Sequence, residues 1–135
     1  MNNDKLKHLE FIQNVINRMG YNSFLVKGWC ITILAAFLAI TANTGENRFV
    51  LLSFFPLICF WLLDSYYLQQ ERKFRVLYDD ACKEDFPVFC MTPYDESIIA
   101  HNCKLNYWAV FFSKTMLMIY LPLSVMIVFL FLFLL

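Results

Sequence analysis

The run from Thr115 to Leu135, TMLMIYLPLSVMIVFLFLFLL, contains no charged side chain. About 20 apolar residues in an α-helix are enough to cross a hydrocarbon layer of about 30 Å. The run therefore predicts a membrane-spanning helix that places the C-terminus at or near the far surface. Composition points the same way, because 60% of the chain is hydrophobic and a single soluble core of this size could not bury so much apolar surface.

The N-terminal segment 4–19 is predicted to form an amphipathic helix. Its apolar residues recur at three- and four-residue steps, which is the helical period: Leu6, Leu9, Ile12, Ile16 and Met19. Gly20 stands where such a helix would end. We expect this helix to lie on the membrane surface or to pack on a cytoplasmic part of the protein.

Two further spans are predicted over 23–42 and 49–68, joined by a tight polar turn at Asn43–Asn47. Pro56 is expected to kink the second span, because a proline inside a helix removes one backbone hydrogen bond. The aromatic residues near the end of this span fit an interfacial belt: Trp61, Tyr66 and Tyr67. In the first span, four small residues favour close helix packing: Ala35, Ala36, Ala39 and Ala42.

No helix breaker separates the second span from the residues that follow, so the helix is predicted to continue to about residue 83 as a cytoplasmic extension. A loop is expected over 84–94, then a cytoplasmic or interfacial helix over 95–114, and the third span over 115–135. In an alternative arrangement, Pro122 divides the last apolar run into two half-spans. The predicted fold class is thus an all-α integral membrane protein with about three transmembrane helices.

The distribution of basic residues predicts the orientation. Ten of the eleven Lys and Arg residues precede or open the first span or lie between the second and third spans, and only Arg48 lies in the turn between spans one and two. The positive-inside rule places the ten in the cytoplasm. The N-terminus is therefore predicted to be cytoplasmic and the C-terminus external.

Lys27 and Asp64 are the first candidate functional residues. Both are predicted near the cytoplasmic boundary of the membrane, where a charge is costly unless it is paired or hydrated. They would form part of a gate or ion pathway, or else a structural ion pair, or two charges that reach water independently. Arg72 and Arg75 follow the second span and would attract anionic lipid, bind a cytoplasmic ligand, or flank a pore entrance.

A stripe of apolar side chains on the cytoplasmic extension is the second candidate site. Its members are Phe74, Leu77, Tyr78 and Ala81. Because they recur at helical spacing, they form one face of the helix. We expect this face, together with the N-terminal helix, to contact other copies of the chain or a partner protein.

Neither a catalytic site nor a metal or cofactor site is predicted. The acidic cluster at Asp79, Asp80, Glu84 and Asp85 matches no calcium or zinc pattern, even with cysteines nearby, and it is expected to be a solvated helix end. His8 and His101 belong to no recognisable nucleophile motif. A formal net charge of zero gives no indication of a nucleic-acid partner.

The stretches Asn14–Ile40 and Phe60–Asp80 resemble, in their layout, the small membrane effectors of bacterial anti-phage signalling systems known as SLATT or 4TM effectors. The resemblance implies a bacterial inner-membrane protein that forms homo-oligomers and permeabilises the membrane when a nucleotide or another infection signal arrives. It also implies that the short cytoplasmic helices or a partner protein sense the signal. The alternative hypothesis is a membrane adaptor or accessory subunit that binds and regulates another protein.

Overall fold

The computed structural model describes residues 3–83, 89, 91 and 106–135. All regular secondary structure in these residues is helical: α1 Asn3–Thr44, α2 Arg48–Leu52, α3 Phe54–Ala81, α4 Tyr107–Phe111 and α5 Lys114–Leu134. Three stretches are long and apolar enough to cross a membrane: Asn3–Thr44, Arg48–Ala81 and Lys114–Leu134. For the described residues, the prediction of an all-α chain with three helices able to span a membrane is confirmed.

The predicted end of the first helix at Gly20 is wrong, because α1 continues without a break to Thr44. A glycine inside a helix costs only about 1 kcal/mol relative to alanine. Burial of side chains on both sides outweighs that cost, since Ile16 and Val26 are 5% and 4% exposed and each such burial contributes about 1.5–3 kcal/mol. The predicted amphipathic segment 4–19 and the predicted span 23–42 are therefore parts of one helix.

The polar turn after α1 is confirmed and depends on Gly45. This residue has φ +69°, a left-handed conformation that glycine adopts without steric penalty. Its N–H donates to the carbonyl of Thr41 at 2.8 Å, which is the usual way in which a left-handed residue closes the C-terminus of a helix.

The second predicted span is interrupted at Ser53, between α2 and α3. Pro56 explains the position of the break, because it lacks the N–H that would bond to the carbonyl of Leu52 and its ring crowds that carbonyl. The Ser53 hydroxyl donates to the carbonyl of Val50 at 2.5 Å. Ser53 itself keeps helical backbone angles (φ −67°, ψ −19°), so the stretch still counts as one potential span, and the expected kink at Pro56 stays a prediction.

The third apolar run forms α5, which begins one residue before the predicted span. The helix passes through Pro122 without ending, so the alternative with two half-spans is wrong. Of the predicted helix over 95–114, the part up to residue 105 lies outside the described residues, as does most of the predicted loop over 84–94. The described remainder contains α4, where burial raises the pKa of the Tyr107 hydroxyl above its ordinary value.

The chain divides into two compact units. The first, here called the polar unit, consists of Met1–Ser23 and Tyr66–Val110, and the second, the apolar unit, consists of Phe24–Ser65 and Phe111–Leu135. Only five charged residues lie in the apolar unit: Lys27, Glu46, Arg48, Asp64 and Lys114. The division therefore separates a charge-rich part of the chain from a part in which apolar residues predominate.

The core of the polar unit joins the N-terminal part of α1 to the C-terminal part of α3. Its buried members are Ile12, Ile16, Leu77 and Ala81. At the end of α3, the Lys5 Nζ donates to the carbonyls of Cys82 and Lys83 at 3.2 and 2.7 Å. A lysine there satisfies carbonyls that the helix leaves unpaired, and its charge opposes the negative end of the helix dipole.

The apolar unit exposes large apolar side chains on each of its long helices. The most exposed include Phe24 on α1 (71%), Phe55 on α3 (71%) and Met118 on α5 (72%). Soluble monomers rarely expose contiguous apolar patches of this extent. This surface is compatible with contact to lipid or to other apolar helices.

Candidate functional site

Three side chains from three different helices meet inside the apolar unit and form what we call the polar cluster: Lys27 of α1, Asp64 of α3 and Tyr120 of α5. The Lys27 Nζ lies 2.7 Å from the Asp64 Oδ2. The Tyr120 hydroxyl donates to the same oxygen at 2.8 Å. The side chain of Asp64 is fully buried, while that of Lys27 is 18% exposed.

Chain connectivity explains why Lys27 and Asp64 meet. Lys27 precedes Gly45 by 18 residues, and Asp64 follows it by 19. Because the chain reverses direction at this turn, positions equally distant from it lie at the same level of the two helices. The predicted proximity of these two residues is confirmed, and of the predicted alternatives the structure shows the ion pair and not two charges that reach water independently.

The polar cluster stabilises the carboxylate of Asp64, whose burial would be costly without polar partners. A buried ion pair is stable only when its geometry is good and further hydrogen bonds use the remaining lone pairs. Here Asp64 receives one contact from a cation and one from a hydroxyl group. The arrangement therefore links α1, α3 and α5 through a single carboxylate.

Trp61 holds the ring of Tyr120 in place. The two rings are nearly parallel, with centroids 5.5 Å apart, and the indole also stacks on the ring of Phe111, whose centroid is 4.5 Å away. The indole N–H donates to the carbonyl of Phe111 at 3.2 Å. Trp61 thereby fixes both the ring that carries the hydroxyl and the backbone that leads into α5.

Replacing Tyr120 with Phe is expected to lower the free energy of unfolding by about 1.5–3 kcal/mol, the range for a hydrogen bond to a charged group. The ring and its contact with Trp61 remain, so the change isolates the hydroxyl group. Equilibrium unfolding of the protein in detergent measures the effect. Tyr66→Phe is the matched control, since Tyr66 is 49% exposed and should change stability by less than about 0.5 kcal/mol. Equal effects of the two changes would contradict the role given to the Tyr120 hydroxyl.

The other two gate candidates belong to the polar unit. Arg75 forms an ion pair with Glu71, with Nη2 2.6 Å from Oε1, and its side chain is 64% exposed. Arg72 is partly buried. The structure therefore joins Lys27 to Asp64 but gives Arg75 a different partner, and a gating role for any of the four stays a prediction.

The apolar stripe of α3 is used within the chain. Leu77 and Ala81 are 0% and 1% exposed and pack against Ile12 and Ile16 of α1. Phe74 and Tyr78, the other two members of the stripe, are packed against this core and remain partly buried. Contact with another molecule therefore stays a prediction for these two residues, whereas Leu77 and Ala81 have an intramolecular role.

Small residues form an exposed face on α1 within the apolar unit. A Cβ atom added to Gly28 would meet nothing within 4 Å, and the hydroxyl of Thr32 is satisfied by the carbonyl of Gly28 at 2.9 Å. The face continues through four exposed alanines: Ala35, Ala36, Ala39 and Ala42. These residues are thus exposed in the described part of the chain, and the close packing that they favour stays a prediction.

Tyr120 was not predicted as a site residue, and Trp61 was predicted only as part of an interfacial belt. A signal for Tyr120 was present, because it is the only aromatic residue with a hydroxyl group in the uncharged run 115–135. A polar group in such a run requires a partner, but nothing local identifies the partner as Asp64.

The described residues contain no group of three or more His, Cys, Asp or Glu side chains that could hold a metal ion. Several residues of the acidic and cysteine-containing segment considered above lie outside the described part of the chain: Glu84, Asp85, Cys90, His101 and Cys103.

No protein family, curated protein or solved structure matches the chain. Function therefore has to be inferred from the chemistry of the chain's own residues.

Proposed function

We propose that this chain is an integral protein of the bacterial inner membrane whose copies assemble into a pore that alters membrane permeability on a cytoplasmic signal, in antiviral defence. The observation that carries the proposal is the polar cluster, in which three potential membrane-spanning helices converge on one buried carboxylate. The assignment to antiviral defence depends on the resemblance of layout alone.

Membrane residence is supported by the outer surface of the apolar unit. Phe129 and Phe133 of α5 are 65% and 78% exposed, and Ile58 of α3 is 50% exposed. Water would solvate such a surface poorly, whereas lipid tails are as apolar as the side chains themselves. The excess of basic residues on one side supports a cytoplasmic N-terminus and an external C-terminus.

A role in permeation is supported by the chemistry of Lys27 and Asp64. Ionisable residues within membrane-spanning segments are rare and commonly mark ion or proton pathways. In the present structure the two charges neutralise each other, and Tyr120 adds a hydrogen bond. We regard this as a closed arrangement, in which separation of Lys27 from Asp64 would release two charges toward a water path.

A water path requires several copies, because large buried side chains fill the interior of the apolar unit, among them Leu57, Met116 and Tyr120. The small-residue face of α1 gives a second copy room to approach closely. Repetition of the same contact around an axis produces a closed ring. Arg72 and Arg75, on the predicted cytoplasmic side, are the candidates to meet an anionic signal such as a nucleotide, or a partner protein.

The mass of the purified full-length protein in detergent, followed by ion flux from liposomes, tests the proposal. We expect the wild type to form a discrete oligomer that keeps the closed arrangement, and Lys27→Gln, which removes the ion pair with Asp64, to raise flux. Adding the double change Ala36→Leu/Ala39→Leu should shift the mass toward the monomer and abolish that flux, because the added side chains separate the α1 helices. Val125→Phe is the matched control, since it adds bulk at a position of α5 that is 60% exposed and outside the face. A monomeric wild type, together with no flux from Lys27→Gln, would refute the pore.

The second candidate function is a membrane adaptor, and one feature of the polar unit favours it. A groove of about 360 Å³ is lined by Phe11, Asn14, Val15, Arg18 and Met91. Phe11 is 50% exposed, and none of the ion pairs in the described part of the chain includes Arg18. An acidic segment of a partner with one apolar anchor would fit this groove. An adaptor predicts a monomer or dimer without flux, so the same measurement separates the two functions.

A further inference from the structure

A surface groove runs along the first half of α5, on a side of the apolar unit that the polar cluster does not use. It has a volume of about 580 Å³ and is lined by Phe112, Lys114, Leu117, Met118, Leu121 and Pro122. Lys114 is the first residue of α5 and stands at one end of the groove, and the side chains beyond it are all apolar. The groove thus combines one cation with a long apolar floor.

The length of the groove matches one leaflet of a bilayer. From Lys114 to Pro122 the helix advances by eight residues, or about 12 Å at 1.5 Å per residue. Half of a hydrocarbon core of about 30 Å is about 15 Å. A groove that begins at the start of the span and ends near its middle has the dimensions of a single acyl chain.

The charge at the mouth of the groove favours an anion. Lys114 is exposed, and it takes part in none of the ion pairs found among the described residues. It also lies at the positive end of the dipole of α5, where the side chain of Ser113 makes no capping hydrogen bond. A phosphate group at this level would therefore meet both a lysine and the open end of a helix.

A second copy of the chain matches the groove less well. An apolar helix packed there would bring no negative charge to Lys114. Within the apolar unit the only acidic residues are Asp64, which is fully buried in its ion pair, and Glu46, which lies in the turn that follows α1. Charge complementarity thus favours a lipid headgroup over the apolar unit of another copy.

We propose that this groove is a binding site for an anionic phospholipid, with the phosphate at Lys114 and one acyl chain along Leu117–Pro122. The site rests on membrane residence, as put forward under the proposed function, but not on pore formation. By the orientation deduced from the basic residues, it would take lipid from the cytoplasmic leaflet.

Native mass spectrometry of the full-length protein with equal concentrations of phosphatidylglycerol and phosphatidylethanolamine tests the site. The wild type should retain the anionic lipid preferentially. Lys114→Gln should lower the affinity for phosphatidylglycerol about fivefold, the factor expected for one lysine at an anionic surface, and leave phosphatidylethanolamine unchanged. Lys114→Arg should preserve the preference. Met118→Trp should fill the groove and weaken retention of both lipids.

Arg48→Gln is the matched control. Arg48 is a cation of the same unit with a side chain that is 89% exposed, and this side chain does not line the groove. The proposal would be overturned if Lys114→Gln did not weaken phosphatidylglycerol binding. It would also be overturned if Arg48→Gln weakened that binding equally.

The same spectra report the oligomer mass. A monomer that loses the anionic lipid only on Lys114→Gln would refute the pore and support the lipid site. An oligomer without lipid preference would refute the lipid site alone.

Discussion

Replacing Lys27 with Met is expected to lower the free energy of unfolding by about 3–5 kcal/mol, the range for breaking a buried ion pair by removal of one partner. The reason is that Asp64 is fully buried and loses the cation 2.7 Å away. The hydrogen bond from the Tyr120 hydroxyl to the carboxylate oxygen would remain. Equilibrium unfolding in detergent, monitored by circular dichroism, measures this decrease in the free energy of unfolding.

The double variant Lys27→Met/Asp64→Leu should recover most of that loss, because replacement of a buried pair by apolar residues is often neutral or stabilising. Arg75→Met is the matched control on an exposed pair, since the side chain of Arg75 is 64% exposed and such pairs contribute about 0–1 kcal/mol. If Lys27→Met and Arg75→Met had the same small effect, the polar cluster would not hold the three helices together.

Replacing Leu77 with Ala is expected to lower the free energy of unfolding by about 2–5 kcal/mol, the usual range for truncation of a buried leucine. Leu77 is fully buried beside Ile12 and Ile16, so the change leaves a cavity in the core of the polar unit. The loss caused by Leu77→Ala, measured at two protein concentrations, tells whether this core is internal to one chain. The loss depends on protein concentration if Leu77 contacts another chain, and it does not if the contact is internal.

Leu6→Ala serves as the control for Leu77→Ala, because Leu6 lies in the same unit and is 48% exposed. Its effect should stay below about 0.5 kcal/mol, as for other surface substitutions. A loss in Leu77→Ala that disappears at high protein concentration would contradict the intramolecular core. In that case the apolar stripe of α3 would form contacts between copies of the chain.

Local features of the chain were sufficient to predict the helical class, the potential spans and the turn between the first two. The run 115–135 and the helix α5 differ by one residue at each end, because twenty residues without charge permit few alternatives to a long helix. Gly45 likewise marks the turn by its own conformational freedom. The proximity of Lys27 and Asp64 could be predicted from the sequence, because the two residues lie at nearly equal distances along the chain from that turn.

What the sequence could not decide was how each helix face is used. Gly20 is a local signal for a helix end, yet the helix continues, because buried neighbours on both sides outweigh one unfavourable residue. The stripe containing Leu77 could equally have met a second copy or the N-terminal helix, and only packing assigns it to Ile12 and Ile16.

The partner of Asp64 in the third span was decided by tertiary structure alone. Tyr120 reaches the carboxylate across 56 positions of the chain, and its ring is set by Trp61. The sequence by itself determined which segments are helical and apolar, since that follows from the composition of about twenty consecutive residues. Tertiary structure determined which faces of those helices meet, since that depends on side chains that are distant in sequence and on how well their shapes and charges fit.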